Sequence, residues 1–333
     1  MMCQRTKNFR SFVFLATSII STSCVSWFQP TISYDTRPIT LQSLSVFDQR
    51  QVSSESKLNW SGDWILRRER LDLIDQELRN DRPDIIILQD LMSRRGSPSE
   101  SDELILKAGS LRGFESITDI VKQYDDSQED EGMSVMVATP LKLTNRVENQ
   151  RYVWGIGADG YLTATVVEHE TQPVVIFNVE MPSKIGRKFL WYTFIEERIS
   201  EFMKQGGYCN ERLIIAGYLP ADQGAVRFQN FLKDLSLRDS GIGFCAVAGS
   251  CFTGTPTNEL FVLTNPDEPG AQFDRILVNA QSMVLSASRN IVASEQASAY
   301  SRQYGLARLW AVQRFGWHAT VRLPRCSSAP TAD

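Results

Sequence analysis

Histidine is almost missing from this sequence: His169 and His318 are the only two in 333 residues. That excludes mechanisms that gather several imidazoles, such as three-histidine zinc sites and the twin-histidine helix of many metalloproteases. An excess of basic charge is missing too. With 35 Lys and Arg against 39 Asp and Glu, the formal charge is −4. Bulk charge therefore does not favour nucleic acid as a partner, and binding one would need a local basic groove. No cysteine pairs stand at zinc-finger spacing, which argues against a structural zinc. Low-complexity tracts and short-period repeats are absent, setting aside solenoids and propellers. Beyond Cys24 no apolar run is long enough to suggest a membrane span. What is present is the composition of a folded chain. Its 42% hydrophobic and 22% charged residues exclude a wholly disordered or collagen-like protein and supply a core of useful size.

The N-terminus has its own pattern. Arg5, Lys7 and Arg10 precede the apolar run Phe12-Val13-Phe14-Leu15-Ala16, which continues to Ile19-Ile20 and gives way to Ser21-Thr22-Ser23 before Cys24. This is the layout of a bacterial export signal, with an apolar run too short to span a bilayer comfortably. Small residues directly before a cysteine resemble a bacterial lipoprotein signal, although Ser21 stands where that family usually has an aliphatic residue. The resemblance implies lipidation at Cys24, with plain secretion as the alternative. A buried amphipathic N-terminal helix is disfavoured, because Pro30 and Pro38 follow with no helical periodicity between them. Residues 1–23 are expected to be a leader and 24–38 a tether. The protein is expected in the periplasm or lipid-anchored to the cell envelope, touching the membrane only through Cys24. Removing Arg5, Lys7 and Arg10 with the leader makes the mature chain, about 310 residues, more acidic at about −7.

Cys209, Cys245, Cys251 and Cys326 then remain, an even number in an exported chain. Cys245 and Cys251 could close a short loop, with Cys209 and Cys326 as the second pair, but spacing alone leaves the connectivity open.

Hydrophobic periodicity organises the rest. Alternation over 39–44 predicts a strand with one buried face. The stripe Trp64, Leu71, Ile74 and Leu78 predicts a helix over 64–79, with Asp63 as N-cap and Pro83 as stop. The apolar run that follows at 84–88 reads as a strand buried on both faces, completing a βαβ unit. The second half repeats the rhythm with a strand at 174–177, a helix at 189–203 through Tyr192, Ile195, Ile199 and Phe202, and a buried strand at 213–216. Further strands are expected at 134–137, 161–167, 275–278 and 319–323, and a solvated turn at 125–132. Two similar halves suggest two sheets packed face to face.

In open α/β sheets chemistry gathers beyond the carboxyl ends of the strands. Those positions here read Leu44-Ser45, Leu88-Gln89-Asp90, Asn178-Val179-Glu180, Gly217-Tyr218-Leu219-Pro220, Phe273-Asp274 and Gly316-Trp317-His318. Their order and spacing, over roughly 39–323, resemble the endonuclease/exonuclease/phosphatase superfamily, which includes deoxyribonuclease-like nucleases, neutral sphingomyelinases and inositol-phosphate phosphatases. The resemblance implies an α/β fold, a four-layered sandwich of two packed mixed β-sheets flanked by helices. The domain is expected over 39–325, with 326–333 a C-terminal tail. It also implies a phosphodiesterase site in which carboxylates hold Mg2+ or Mn2+ and an aspartate-supported histidine handles the proton.

The implied site is not intact in the sequence. The superfamily's asparagine at the end of the first strand falls on Ser45, and its metal-binding glutamate falls on Asp90, one methylene shorter. The histidine of the Asn-x-His motif becomes Glu180. The aspartate and asparagine of Gly-Asp-x-Asn become Tyr218 and Pro220. In the closing Ser-Asp-His motif Gly316 and Trp317 replace the first two residues and His318 remains, with Asp274 where an aspartate supports that histidine. Removing one charge-stabilising donor typically costs about two to three orders of magnitude in rate. Several losses together predict a pseudoenzyme with no cofactor and a binding or scaffolding role.

The competing expectation is a rebuilt phosphodiesterase, with Asp90, Glu180 and Asp274 binding Mg2+ or Mn2+ and His318 as acid or base. Each residue also has a plainer reading: Asp90 capping a turn or pairing with an arginine, Glu180 a solvated strand-end charge, His318 an edge-of-core histidine. Tyr218 and Trp317 are expected to pack together or against the old cleft. Lys184, Arg187 and Lys188 form a small cationic patch that could meet a phosphorylated ligand; an unidentified protein is the other partner considered.

Overall fold

Strands rich in β-branched residues build two six-stranded sheets, and amphipathic helices cover their outer faces. The computed structural model describes residues 32–46, 67–94, 114–123, 129–138, 141–145, 160–181, 188–220, 225–245, 252–254, 257, 272–293 and 316–326. Its elements are β1 (Ile39–Ser45), α1 (Arg67–Asp81), β2 (Ile85–Arg94), β3 (Phe114–Gln123), β4 (Glu129–Ala138), β5 (Lys142–Asn145), β6 (Tyr161–His169), β7 (Gln172–Glu180), α2 (Lys188–Gln205), a 3-10 turn (Asn210–Arg212), β8 (Leu213–Tyr218), α3 (Val226–Asp234), β9 (Leu237–Asp239), β10 (Asp274–Asn279), β11 (Met283–Asn290) and β12 (Gly316–Arg322). The first sheet has the order β11-β12-β1-β2-β4-β3 and the second β5-β6-β7-β8-β10-β9. Both are mixed: β1 and β2 run parallel, as do β7 and β8, while the other neighbours are antiparallel.

The period-two pattern sorts side chains into layers. Ile39 and Leu41 of β1, Ile85 and Ile87 of β2, Val174 and Ile176 of β7, Ile214 and Ala216 of β8, Ile276 and Val278 of β10 and Ala319 and Val321 of β12 pack together between the sheets. Leu44, Ile86 and Leu88 face the other way, onto Leu71, Ile74 and Leu78 of α1. On the far side, Phe177, Leu213 and Ile215 meet Tyr192, Ile195 and Ile199 of α2 and Phe228 and Phe231 of α3. Helix, sheet, sheet, helix is the expected order of four layers. α1 stops because Arg82 takes a left-handed φ of 39° and Pro83 cannot continue the helix.

The expected solvated turn is corrected in part, since Glu129 to Gly132 run inside β4 paired with β2 and β3. In-register partners on both sides outweigh the acidic composition there. Residues 125–128, like Asp63 and Trp64, lie outside the described residues, as do Cys24 and the leader.

The end of the sandwich opposite the strand-end motifs is tied by charge and by a disulfide. Two residues of positive φ, Glu170 at 49° and Thr171 at 66°, make the tight hairpin turn from β6 to β7. The Glu170 carboxylate accepts hydrogen bonds from the Thr36 and Arg37 amides and from Arg325. Arg212 is fully buried and donates to Asp35 and to the carbonyls of Pro173, His169 and Pro324. Cys209 and Cys326 form a disulfide across 117 residues of sequence. Cys245 is disulfide-bonded too, with its partner, like Cys251, outside the described residues.

Candidate functional site

Alternation along each strand decides which side chains reach the space between the sheets at its carboxyl-end rim. On β1 these are Ser43 and Ser45, on β2 Gln89, on β7 Asn178 and Glu180, on β10 Asp274 and on β12 Trp317, each in phase with the inter-sheet residues above. All are buried. Gln89 donates from Nε2 to Asn178 Oδ1 at 2.7 Å, and Asn178 donates from Nδ2 to the Leu88 carbonyl at 2.9 Å. These bonds join the two sheets just inside the rim. Polar side chains inside otherwise apolar strands need such partners, because burial without them is costly. That rule could have marked both residues in the sequence, where they stood only as letters of a motif.

Asp90 would face α1 by simple alternation. Instead its φ is 55°, and the pairing of β2 with β4 shifts between Leu88 and Leu91. The left-handed conformation, which aspartate tolerates better than most residues, turns its carboxylate to Ser45, whose hydroxyl donates to Oδ2.

The Gly217-Tyr218-Leu219-Pro220 segment is fixed by a close approach. Gly217 has a φ of 126°, and a Cβ there would stand 2.1 Å from the Val179 carbonyl oxygen, so only glycine fits. The same backbone turn sends Tyr218 away from the inter-sheet space into the α2/α3 layer, with its ring 5.9 Å from Phe273. Arg275, buried against Asp239 and lying over the Phe228 ring, donates from Nε to the Leu219 carbonyl at 3.1 Å. Pro220 is buried beside it. Arg275 and Asp239 had no signal in the sequence beyond lying next to apolar strands.

Of the two placements expected, Tyr218 and Trp317 do not pack together, because they belong to different layers, while Trp317 does pack at the inter-sheet rim where the old cleft was expected. Trp317 alone lies between the sheets, 1% exposed, with Nε1 donating to Ser240 Oγ at 3.0 Å. Its ring lies close over Gly241, where a Cβ would come within 2.8 Å of it.

The expected pairing of Asp274 with His318 is also corrected. His318 is one residue beyond Trp317, so it points to the opposite face of β12, opposite Gln42 and towards Asp81 of α1. Asp274 faces between the sheets, in phase with Ile276 and Val278, and its amide donates to Thr253 Oγ1. A one-residue step exchanges the two faces of a strand, and here it separates the imidazole from the carboxylates. His318 Nε2 has no hydrogen-bond partner, and burial holds the imidazole below its usual pKa.

Mg2+ is commonly held by one or two carboxylates, with water and substrate oxygens completing its shell. Among the described residues no group of three or more His, Cys, Asp or Glu side chains is placed to hold a metal ion. Asp90, Glu180 and Asp274 do not form such a three-residue group, and His318 lies on the opposite face of β12. Lys184 and Arg187 lie outside the described residues, and of the Lys188 side chain nothing is described.

No protein-family model matches the sequence, and no curated protein matches it. Solved structures do. A mannosyl-6-phosphatase of Bacteroides thetaiotaomicron is similar at a TM-score of 0.58 and 14% identity, over 85% of this chain and 99% of that one. The catalytic domain of human Nocturnin is similar at 0.55 and 13%, over 86% and 94%. An endonuclease/exonuclease/phosphatase family protein of Leptotrichia buccalis is similar at 0.50 and 10%, over 84% and 98%. At these identities the likeness is one of architecture, and it agrees with the layers and sheet orders above: the chain has the endonuclease/exonuclease/phosphatase fold.

Proposed function

We propose that this protein is an exported pseudoenzyme that uses the fold for binding or scaffolding in the cell envelope. The observation that carries the reading is Trp317. A fully buried indole, hydrogen-bonded to Ser240, fills the inter-sheet rim where a phosphodiesterase needs room for substrate and an imidazole. The Ser45 hydrogen bond to Asp90 supports it, since it engages the one carboxylate that the motif match would give to a metal. Export is supported by the leader pattern and by the Cys209–Cys326 disulfide, a bond typical of oxidising compartments. Lipidation at Cys24 would hold the domain at a membrane surface, and no helix among the described residues is long and apolar enough to cross one. The partner is a protein or a phosphorylated ligand.

Two experiments test this. Purified protein is incubated with Mg2+ or Mn2+ and with nucleic acid, sphingomyelin, phosphoinositides and sugar phosphates; no chelator-sensitive turnover is expected, and robust turnover lost in Asp90→Asn sinks the reading. Labelling of cells with a radioactive fatty acid is expected to mark the wild type and not Cys24→Ala; equal labelling of both removes the anchor.

A further inference from the structure

Gln42 sits in the middle of β1 with its side chain on the α1 side of the sheet, between Thr40 and Leu44. It is 0% exposed, yet among the described residues neither its amide oxygen nor its amide nitrogen has a hydrogen-bond partner. Directly opposite it in the β1–β12 pairing, on the same face, stands His318, whose Nε2 is buried and unpartnered as well. Three polar atoms with complementary capacity thus belong to one cross-strand pair: an amide N–H donor, an amide carbonyl acceptor and a ring nitrogen. Buried polar groups in native proteins are almost always satisfied, by protein or by ordered water. Across β1 the neighbour on the same face is Ile86, so the polar site is walled on one side by the α1 core. Asp81 of α1 acts on His318 from above, and Ser288 of β11 lies beyond it in the same cross-strand row.

We propose that Gln42 and His318 line a buried hydration site between α1 and its sheet, occupied by one or two ordered water molecules. Water suits the atoms: it donates to Gln42 Oε1 and to Nε2 of the neutral imidazole, and accepts from Gln42 Nε2. A carboxylate or phosphate does not suit them, because Asp81 and Glu77, one helical turn apart on α1, make this edge acidic. Among the described residues these groups do not form a ligand cluster for a divalent metal. The site also gives His318 a role with no catalytic content, as one wall of a structural water site. This inference does not depend on the binding reading above; either can fail alone.

The test is a crystal structure of the wild-type protein at a resolution where ordered water is visible, together with magnetic relaxation dispersion in solution. Density within hydrogen-bonding distance of Gln42 Oε1 or Nε2 and of His318 Nε2 is expected, along with a long-lived water that Gln42→Leu abolishes. A Gln42 amide bonded to protein atoms with no water beside it overturns the proposal, as does density for a larger ligand. Should Gln42→Leu fail to fold, the wild-type crystal and its dispersion profile decide alone.

Discussion

Ser45 donates its hydroxyl to the carboxylate of Asp90, and the two are sealed from solvent where the parallel pairing of β1 with β2 ends. The bond holds a buried carboxylate at a left-handed residue. Ser45→Ala removes this hydrogen bond to a buried carboxylate and is expected to lower unfolding free energy by about 1–3 kcal/mol, read by urea denaturation. A variant as stable as wild type would show that the bond contributes nothing.

Among the described residues Trp317 is the largest side chain between the sheets at the rim. Trp317→Ala is expected to cost about 3–5 kcal/mol, from lost burial and the cavity left behind, and to produce no hydrolytic activity. A stable variant that gains chelator-sensitive phosphodiesterase activity would show that the indole merely plugs a working site.

Glu170 links acid stability to the far end of the sandwich. Its hydrogen bonds from the Thr36 side chain and the Arg37 amide lower its pKa from 4.5 to about 2. A depressed carboxyl stabilises the fold fully above its unfolded pKa of 4.5, and that contribution is lost as pH falls towards 2. Glu170→Gln is therefore expected to lower stability at neutral pH and to flatten its decline below pH 4.5. An unchanged acid limb of the stability curve in the variant argues against this linkage.

The Cys209–Cys326 disulfide closes a loop of well over a hundred residues and fastens the segment after β12 beside the 3-10 turn before β8. Replacing both cysteines by serine is expected to cost about 2–5 kcal/mol. If oxidised wild type and the double variant melt together, the bond does not stabilise the fold.

Much of the fold was legible because its central strands are continuous apolar runs and its two long helices carry clear stripes. Leu71, Ile74 and Leu78, and Tyr192, Ile195 and Ile199, are buried as their spacing predicts. Edge strands were harder. β9 is three residues long, β5 is four, and β11 alternates weakly with Met283 and Leu285 exposed. At the rim the positions were legible but the directions were not. The positive φ at Asp90 and Gly217 redirects side chains against simple alternation. The phase of β12, which aims Trp317 inward and His318 outward, is fixed by pairing with β1 that lies far away in sequence.

Metal binding at the strand-end rim separates the proposed pseudoenzyme from a rebuilt phosphodiesterase. Titration of the oxidised wild-type protein with Mn2+, followed by the electron paramagnetic resonance of the free ion, tests it directly. For the pseudoenzyme no saturable site is expected, with the same free-ion signal for wild type and Asp90→Asn. Stoichiometric binding to the wild type, lost in Asp90→Asn or Glu180→Gln while both variants stay folded, would contradict it.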